Sequence, residues 1–123
     1  GIRLGFYYSQ AQDWYDENGY EQDADNEAKN FRKYLDEKCK PQLRELLTQY
    51  GPVALIWFDT PLIMTAEESK ELRDLVKELQ PEASMQFLCQ TTSIKNDDCS
   101  PGERINIILF FSFLKTYIVY MDK

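Results

Sequence analysis

The sequence predicts an α/β fold built on a parallel sheet, and two observations carry that prediction. Strand-like and helix-like segments alternate between residues 2 and 81 in the order strand, helix, strand, helix, which is typical of parallel strands joined by right-handed crossovers. The second strand-like segment, residues 53–58, is a continuous apolar run. Such a run is expected of a parallel strand that is buried on both faces.

The first strand and the loop after it occupy residues 2–26. Residues 2–8 are rich in β-branched and aromatic side chains, and the polar stretch that follows predicts that the strand ends near Ser9. Residues 10–26 are acidic and polar and contain the dipeptide Asn18-Gly19. We therefore expect a loop with a turn at that dipeptide.

The first helix is predicted over residues 28–50, because apolar side chains recur there at three- and four-residue steps. Pro41 lacks an amide donor, so a kink or a break into two helical pieces is expected there. Gly51-Pro52 predicts the end of the helix.

The second helix is predicted to begin after Thr65, which forms a capping-box pattern with Glu68, and to end at Pro81. From residue 84 the periodicity weakens, and residues 105–121 form an apolar segment of strand or helix. We expect an irregular C-terminal tail.

Charge and composition exclude several classes of function. The 123 residues carry a net charge of −7 and include no histidine. Binding to a phosphate backbone is therefore not expected, and neither are catalytic triads or zinc sites that require histidine. The acidic loop between residues 13 and 25 lacks the ligand spacing of a calcium loop, so we predict no metal site.

The cysteines and the longest apolar segment limit further which structural features are expected. Cys39, Cys89 and Cys99 show no CxxC spacing, and although Cys89 and Cys99 are able to pair, we expect free thiols. Polar residues interrupt residues 105–121, which are too short to span a membrane. The sequence shows no signal peptide.

Candidate catalytic residues lie where the strands end, because functional groups gather at the carboxyl ends of parallel strands. Asp59 directly follows the apolar run and stands beside Trp57 and Phe58. A carboxylate flanked by aromatic rings suits a nucleophile that attacks a sugar's anomeric carbon. From spacing alone, Asp59 could equally cap a turn in the Asp-Thr-Pro loop.

Six segments together resemble the α-L-fucosidases of glycoside hydrolase family 29. They are GFYYS (5–9), DW (13–14), KPQLRELLTQYGP (40–52), LIWFD (55–59), ELR (71–73) and LQP (79–81). The resemblance implies a partial (β/α)8 TIM-type barrel of about two βα units in residues 1–83, followed by a divergent tail in residues 84–123. Residues 84–90 lack the glycine and arginine that the family carries at that point, and read-through out of frame or through an intron is an alternative origin for the tail.

The resemblance also implies roles for four residues. Asp59 corresponds to the catalytic nucleophile, Trp57 to a residue that lines the fucose pocket, and Tyr7 to a sugar-contacting position. Trp14 matches a further tryptophan of the substrate site. The alternative interpretation places Trp57 in a barrel core, and because Tyr7 and its neighbour point to opposite faces, only one of them can reach the pocket.

The implied protein is a retaining exo-glycosidase that releases terminal α-L-fucose from fucosylated oligosaccharides without a cofactor. By family resemblance it is secreted, periplasmic or lysosomal. No acid/base residue is identified, and the chain alone is expected to fold poorly and to be inactive. Two other functions stay open: a vestigial carbohydrate-binding α/β protein, and a flavodoxin-type domain, which the lack of a Gly-rich loop disfavours.

Overall fold

The computed structural model describes residues 3–21, 24–87, 106–110 and 116–122. The elements in chain order are β1 (Arg3–Ser9), α1 (Phe31–Tyr34), a π-helical segment (Leu35–Cys39), α2 (Lys40–Gln49), β2 (Val53–Asp59), α3 (Ala66–Leu79), β3 (Ser84–Phe87), β4 (Asn106–Phe110) and β5 (Thr116–Asp122). The strands form one sheet in the order β3-β2-β1-β5-β4.

The parallel sheet predicted from the sequence is confirmed. Strand β2 pairs in parallel with β1 on one side and with β3 on the other. Helical residues 31–49 connect β1 to β2, and α3 connects β2 to β3. The described residues show a mixed α/β fold with a small parallel sheet, and they do not close into a barrel.

Strand β2 lies at the centre of this parallel unit. Ala54, Leu55, Ile56 and Phe58 are all buried, so successive side chains on both faces of the strand are covered, as the continuous apolar run predicts. One face contributes Ile56 and Phe58 to a core that also contains Leu43 from α2 and Leu72 from α3. The helices therefore cover this face, while Leu55, Trp57 and Asp59 alternate onto the other.

The long helix begins later than predicted and continues past Pro41. The side chain of Asn30 caps its start by accepting a hydrogen bond from the amide of Lys33 at 3.1 Å. A π-helical segment precedes α2, and the amide of Lys40 donates to the carbonyl of Leu35. Pro41 directly follows this segment and lies in the first turn of α2. The expected break is therefore a change of helix type.

Helix α3 has the start that the sequence predicts. Thr65 accepts a hydrogen bond from the amide of Glu68 at 3.2 Å, and the Glu68 carboxylate accepts one from the amide of Thr65 at 2.9 Å. The reciprocal pair satisfies two amides that have no partner within the helix. The capping box fixes the point where the loop after β2 ends.

The prediction of an irregular C-terminal tail is wrong for the residues that the structure describes there. Strand β3 extends the parallel sheet beside β2, β5 pairs antiparallel with β1, and β4 pairs antiparallel with β5. These strands acquire their structure from long-range pairing, which local periodicity does not reveal. The division of the chain between residues 83 and 84 stays a prediction.

Other expectations concern the thiols and the apolar segments. Cys39 is a free, buried thiol; Cys89 and Cys99 lie outside the described residues. Within the described parts of the chain, no helix is both long and apolar enough to traverse a bilayer.

Candidate active site

The site lies where β1 and β2 end side by side. The register aligns Tyr7 with Trp57 and Ser9 with Asp59. Because the strands run parallel, their carboxyl ends meet at one edge of the sheet. Residues 50 positions apart in sequence thereby become neighbours on adjacent strands.

Alternation along each strand separates the core from the site. Tyr8 points towards the helices, is 0% exposed and donates a hydrogen bond to Oε1 of Gln42 at 2.8 Å; burial raises its pKa well above the ordinary value. Tyr7 and Trp57 lie on the opposite face, with ring centroids 6.1 Å apart. The period of two in a strand produces this division.

The Asp59 carboxylate is held through both of its oxygens. The Tyr7 hydroxyl donates a hydrogen bond to Oδ2, and the amide of Thr60 donates to Oδ1 at 2.6 Å. The carbonyl of Asp59 accepts from the amide of Gln10 at 2.9 Å. A half-buried, oriented carboxylate of this kind is able to act as a nucleophile.

Trp57 contributes a hydrogen-bond donor beside this carboxylate. Its Nε1 is buried and has no hydrogen-bond partner among the described residues. A buried donor without a partner is costly.

Trp14 lies apart from these three residues. It is 72% exposed on the loop after β1, and no hydrogen bond or ring contact joins it to Asp59 within the described residues. The structure therefore brings together Tyr7, Trp57 and Asp59, and it leaves Trp14 outside their contact network.

The loop that carries Trp14 is folded back on itself. The amide of Asp13 donates to the carbonyl of Tyr20 at 3.1 Å, and the Asp13 carboxylate lies 3.6 Å from Nζ of Lys38. A Cβ on Gly19 would stand 2.7 Å from the Cβ of Asp13, so only glycine fits the predicted turn. Within the described residues, no group of three or more metal-ligating side chains is present.

One residue of the site, and the backbone conformation of a second, were not anticipated from the sequence. Gln10 is 0% exposed, and its amide nitrogen Nε2 donates to the carbonyl of Asp59 at 3.3 Å. Thr60 has a φ of 50°. The position of Gln10 directly after a predicted strand was a usable signal, whereas the backbone conformation of Thr60 leaves no mark in the sequence pattern.

One protein-family model matches most of this chain. The family model described as α-L-fucosidase matches residues 1–107. The chain belongs to the α-L-fucosidase family. The α-L-fucosidase match continues beyond residue 83, so it includes β3 and the segment up to residue 107.

Solved α-L-fucosidase structures agree with this assignment, while no curated protein matches the chain. AlfC from Lactobacillus casei, in complex with α-L-fucose product, is 34% identical over 64% of this chain and 30% of that chain, with a TM-score of 0.59. An aspartate-to-alanine mutant of AlfC, in complex with 4-nitrophenyl-α-L-fucopyranoside substrate, is 33% identical with the same coverage and TM-score.

A second α-L-fucosidase, from Vibrio sp. strain EJY3, is 33% identical over 64% of this chain and 15% of that chain, with a TM-score of 0.56. The chain thus spans less than one third of the length of these solved relatives. It corresponds to one part of a fucosidase domain.

Proposed function

We propose that this chain provides the nucleophile side of a retaining α-L-fucosidase site, with Asp59 as the nucleophile. The proposal is supported by the Asp59 carboxylate at the carboxyl end of a buried parallel strand, oriented by the Tyr7 hydroxyl and the Thr60 amide. The family match over residues 1–107 supports α-L-fucose as the sugar that is released. In this proposal β1, β2 and β3 are successive strands of a (β/α)8 barrel.

The reaction is a double displacement. A carboxylate oxygen of Asp59 forms a bond to C1 of the fucosyl group while the bond from C1 to the aglycone oxygen breaks, and that oxygen takes a proton from a general acid. Water then attacks C1, the acid's conjugate base removes its proton, and the Asp59 carboxylate leaves. Two inversions at C1 produce retention of configuration.

Aromatic residues bind the sugar in this proposal. Trp57 offers its buried Nε1 donor to a fucose oxygen, and the ring of Tyr7 lies beside that of Trp57, with centroids 6.1 Å apart. Trp14, exposed on the loop after β1, is proposed to contact substrate at the rim. Support for a fucosylated substrate comes from the AlfC complexes with fucose and with an aryl fucoside.

No residue of this chain is assigned the acid/base role. Glu67 and Glu68 lie in the first turn of α3, and Glu68 closes the capping box. A retaining mechanism requires the second carboxyl about 5–5.5 Å from the first. The proposal therefore concerns the nucleophile and its surroundings.

Azide rescue of Asp59→Gly in the full-length protein tests the proposal. Hydrolysis of 4-nitrophenyl α-L-fucoside is expected to fall by roughly 10³-fold or more, because the covalent step is lost. Azide is expected to restore nitrophenol release and to yield a fucosyl azide of inverted configuration, since it attacks in place of the missing carboxylate.

Glu67→Gln is the matched control, because it removes an exposed carboxylate outside the site. It is expected to retain wild-type turnover. If Asp59→Gly hydrolyses the fucoside at the wild-type rate, Asp59 is not the nucleophile. Fucose binding without any turnover in the wild-type protein would instead identify a vestigial sugar-binding protein.

A further inference from the structure

The residue that follows the proposed nucleophile has an unfavourable backbone conformation. Thr60 has a φ of 50°, in the left-handed region. A β-branched side chain rarely adopts this region, because its Cβ crowds the neighbouring backbone. Such a conformation persists only where surrounding contacts hold it, and it is frequent at functional sites.

Backbone contacts from the end of β1 hold this residue from one side. The amide of Ala11 donates to the carbonyl of Thr60 at 3.3 Å, and the amide of Gln10 donates to the carbonyl of Asp59 at 2.9 Å. The Gln10 side chain adds a second hydrogen bond to the same Asp59 carbonyl, at 3.3 Å. The peptide unit between Asp59 and Thr60 is therefore fixed.

A pair of hydroxyl groups holds Thr60 through its side chain. Oγ of Ser9 lies 2.5 Å from Oγ1 of Thr60, and it also lies 3.2 Å from the carbonyl of Gln12. A carbonyl only accepts, so the single hydroxyl proton of Ser9 is donated to Gln12. The Thr60 hydroxyl must then donate to Ser9, which makes both groups necessary for the contact.

The orientation of this peptide unit determines one contact of the carboxylate. The carbonyl of Asp59 and the amide of Thr60 belong to the same planar unit and point in opposite directions. Because the carbonyl points at Gln10, the amide points at Oδ1 of Asp59, 2.6 Å away. A rotation of the peptide unit between Asp59 and Thr60 would withdraw this donor from the carboxylate.

We propose that the hydroxyl pair of Ser9 and Thr60 is a positioning device for the nucleophile. It holds Thr60 in the left-handed conformation, so that the Thr60 amide and the Tyr7 hydroxyl together aim the Asp59 carboxylate. Ser9 and Thr60 are positioning residues and do not touch the substrate. The inference rests on the proposed function of Asp59.

Three single variants in the full-length protein test the inference. Thr60→Val removes the hydroxyl and keeps the branched shape, Ser9→Ala removes its partner, and Thr60→Ser restores a hydroxyl. Thr60→Val and Ser9→Ala are each expected to lower kcat by roughly ten- to a hundredfold, because small displacements of a reacting group are costly. KM is expected to stay within about twofold, and Thr60→Ser is expected to be close to wild type.

The double variant distinguishes one shared contact from two separate ones. Ser9→Ala combined with Thr60→Val is expected to be no slower than Ser9→Ala alone, because Ser9→Ala already removes the contact with Thr60. Thr48→Val is the matched control: Thr48 is an exposed threonine of α2 whose hydroxyl donates to the carbonyl of Arg44. It is expected to leave kcat unchanged.

Covalent capture separates this inference from the proposed function. A 2-fluoro fucosyl fluoride is expected to label Asp59 in the wild-type protein, and label on another residue would overturn the proposed nucleophile. Slower labelling of Asp59 in Ser9→Ala, with an unchanged unfolding midpoint, would support positioning. A wild-type kcat and a wild-type labelling rate in Ser9→Ala would overturn the positioning role of the hydroxyl pair. Equal losses of kcat in Thr60→Ser and Thr60→Val would also overturn it.

Discussion

Adjacent residues of one strand have opposite surroundings in this protein. Tyr8 is fully buried against the helices, and its neighbour Tyr7 donates to the carboxylate of Asp59. Both are tyrosines, so side-chain direction alone separates a core role from a site role. Cys39, which is 0% exposed beneath Tyr8, belongs to the core side of this division.

Burial of Cys39 leads to a prediction about its reactivity. Burial raises the pKa of the Cys39 thiol to about 12, from an ordinary value of 9.0. At pH 8 the thiolate fraction is therefore expected to be roughly 10³-fold smaller than in the unfolded chain. Alkylation by iodoacetamide, followed by mass spectrometry of the peptide that contains Cys39, should be correspondingly slow in native protein. Labelling at equal rates in native protein and in denaturant would show an exposed thiol.

The helix boundaries show which signals in the local sequence predict the structure correctly. The capping box at Thr65 and the stop at Gly51 appear as predicted, and Gly51 has a φ of 88°. The π-helical segment before α2 was not foreseen, although Pro41 marked its place. Its inward residues, Leu35 and Cys39, are both 0% exposed and belong to the hydrophobic core.

Loss of the Thr65 cap is expected to destabilise the protein measurably. Thr65→Ala leaves the amide of Glu68 without its side-chain acceptor and should lower the free energy of unfolding by about 1 kcal/mol. Urea unfolding of the full-length protein, followed by circular dichroism, measures this change. Thr65→Ser keeps an acceptor oxygen and should remain within about 0.5 kcal/mol of wild type; an equal loss in both variants would rule out the cap as the cause.

At the scale of the whole molecule, an ionic network ties the long helix to α3. Arg32 donates to Glu71 at 2.8 Å and to Asp36 at 2.7 Å, while Lys40 donates to Asp36 and to Glu71, each at 2.6 Å. Glu71 belongs to α3 and the other three to the long helix. Hydrogen bonds from Arg32 and then Lys40 lower the pKa of Glu71 to about 2.

This network predicts a loss of stability in acid. The folded pKa of Glu71 is lower than its unfolded value of 4.5, so its contribution is complete above about pH 4.5 and declines as the pH falls towards 2. Because the Glu71 side chain is 37% exposed, solvent limits the effect to less than about 1 kcal/mol. Urea unfolding at pH 6 and pH 3 should show a smaller difference for Glu71→Gln than for wild type. An identical pH dependence in the two proteins would contradict this assignment.

The sequence predicted the features that depend on neighbouring residues, and it did not predict those that depend on contacts between distant residues. Residues 53–58, with an acid at their end, predicted a buried parallel strand, and alternation predicted that Tyr7 or Tyr8 alone could join Asp59. The left-handed Thr60 depends on contacts with Ser9 and Ala11 across two strands. The antiparallel partners of β1 lie more than 100 residues away, as in the pairing of Tyr8 with Thr116, and periodicity carries no information over such separations.

Strand β5 limits how this sheet can be enlarged. A ring of eight parallel strands requires a parallel neighbour on each side of every member, and β1 already shares one side with an antiparallel strand. An incoming parallel strand would compete for the same amides and carbonyls, so closure of such a ring at β1 would require β5 to separate from β1.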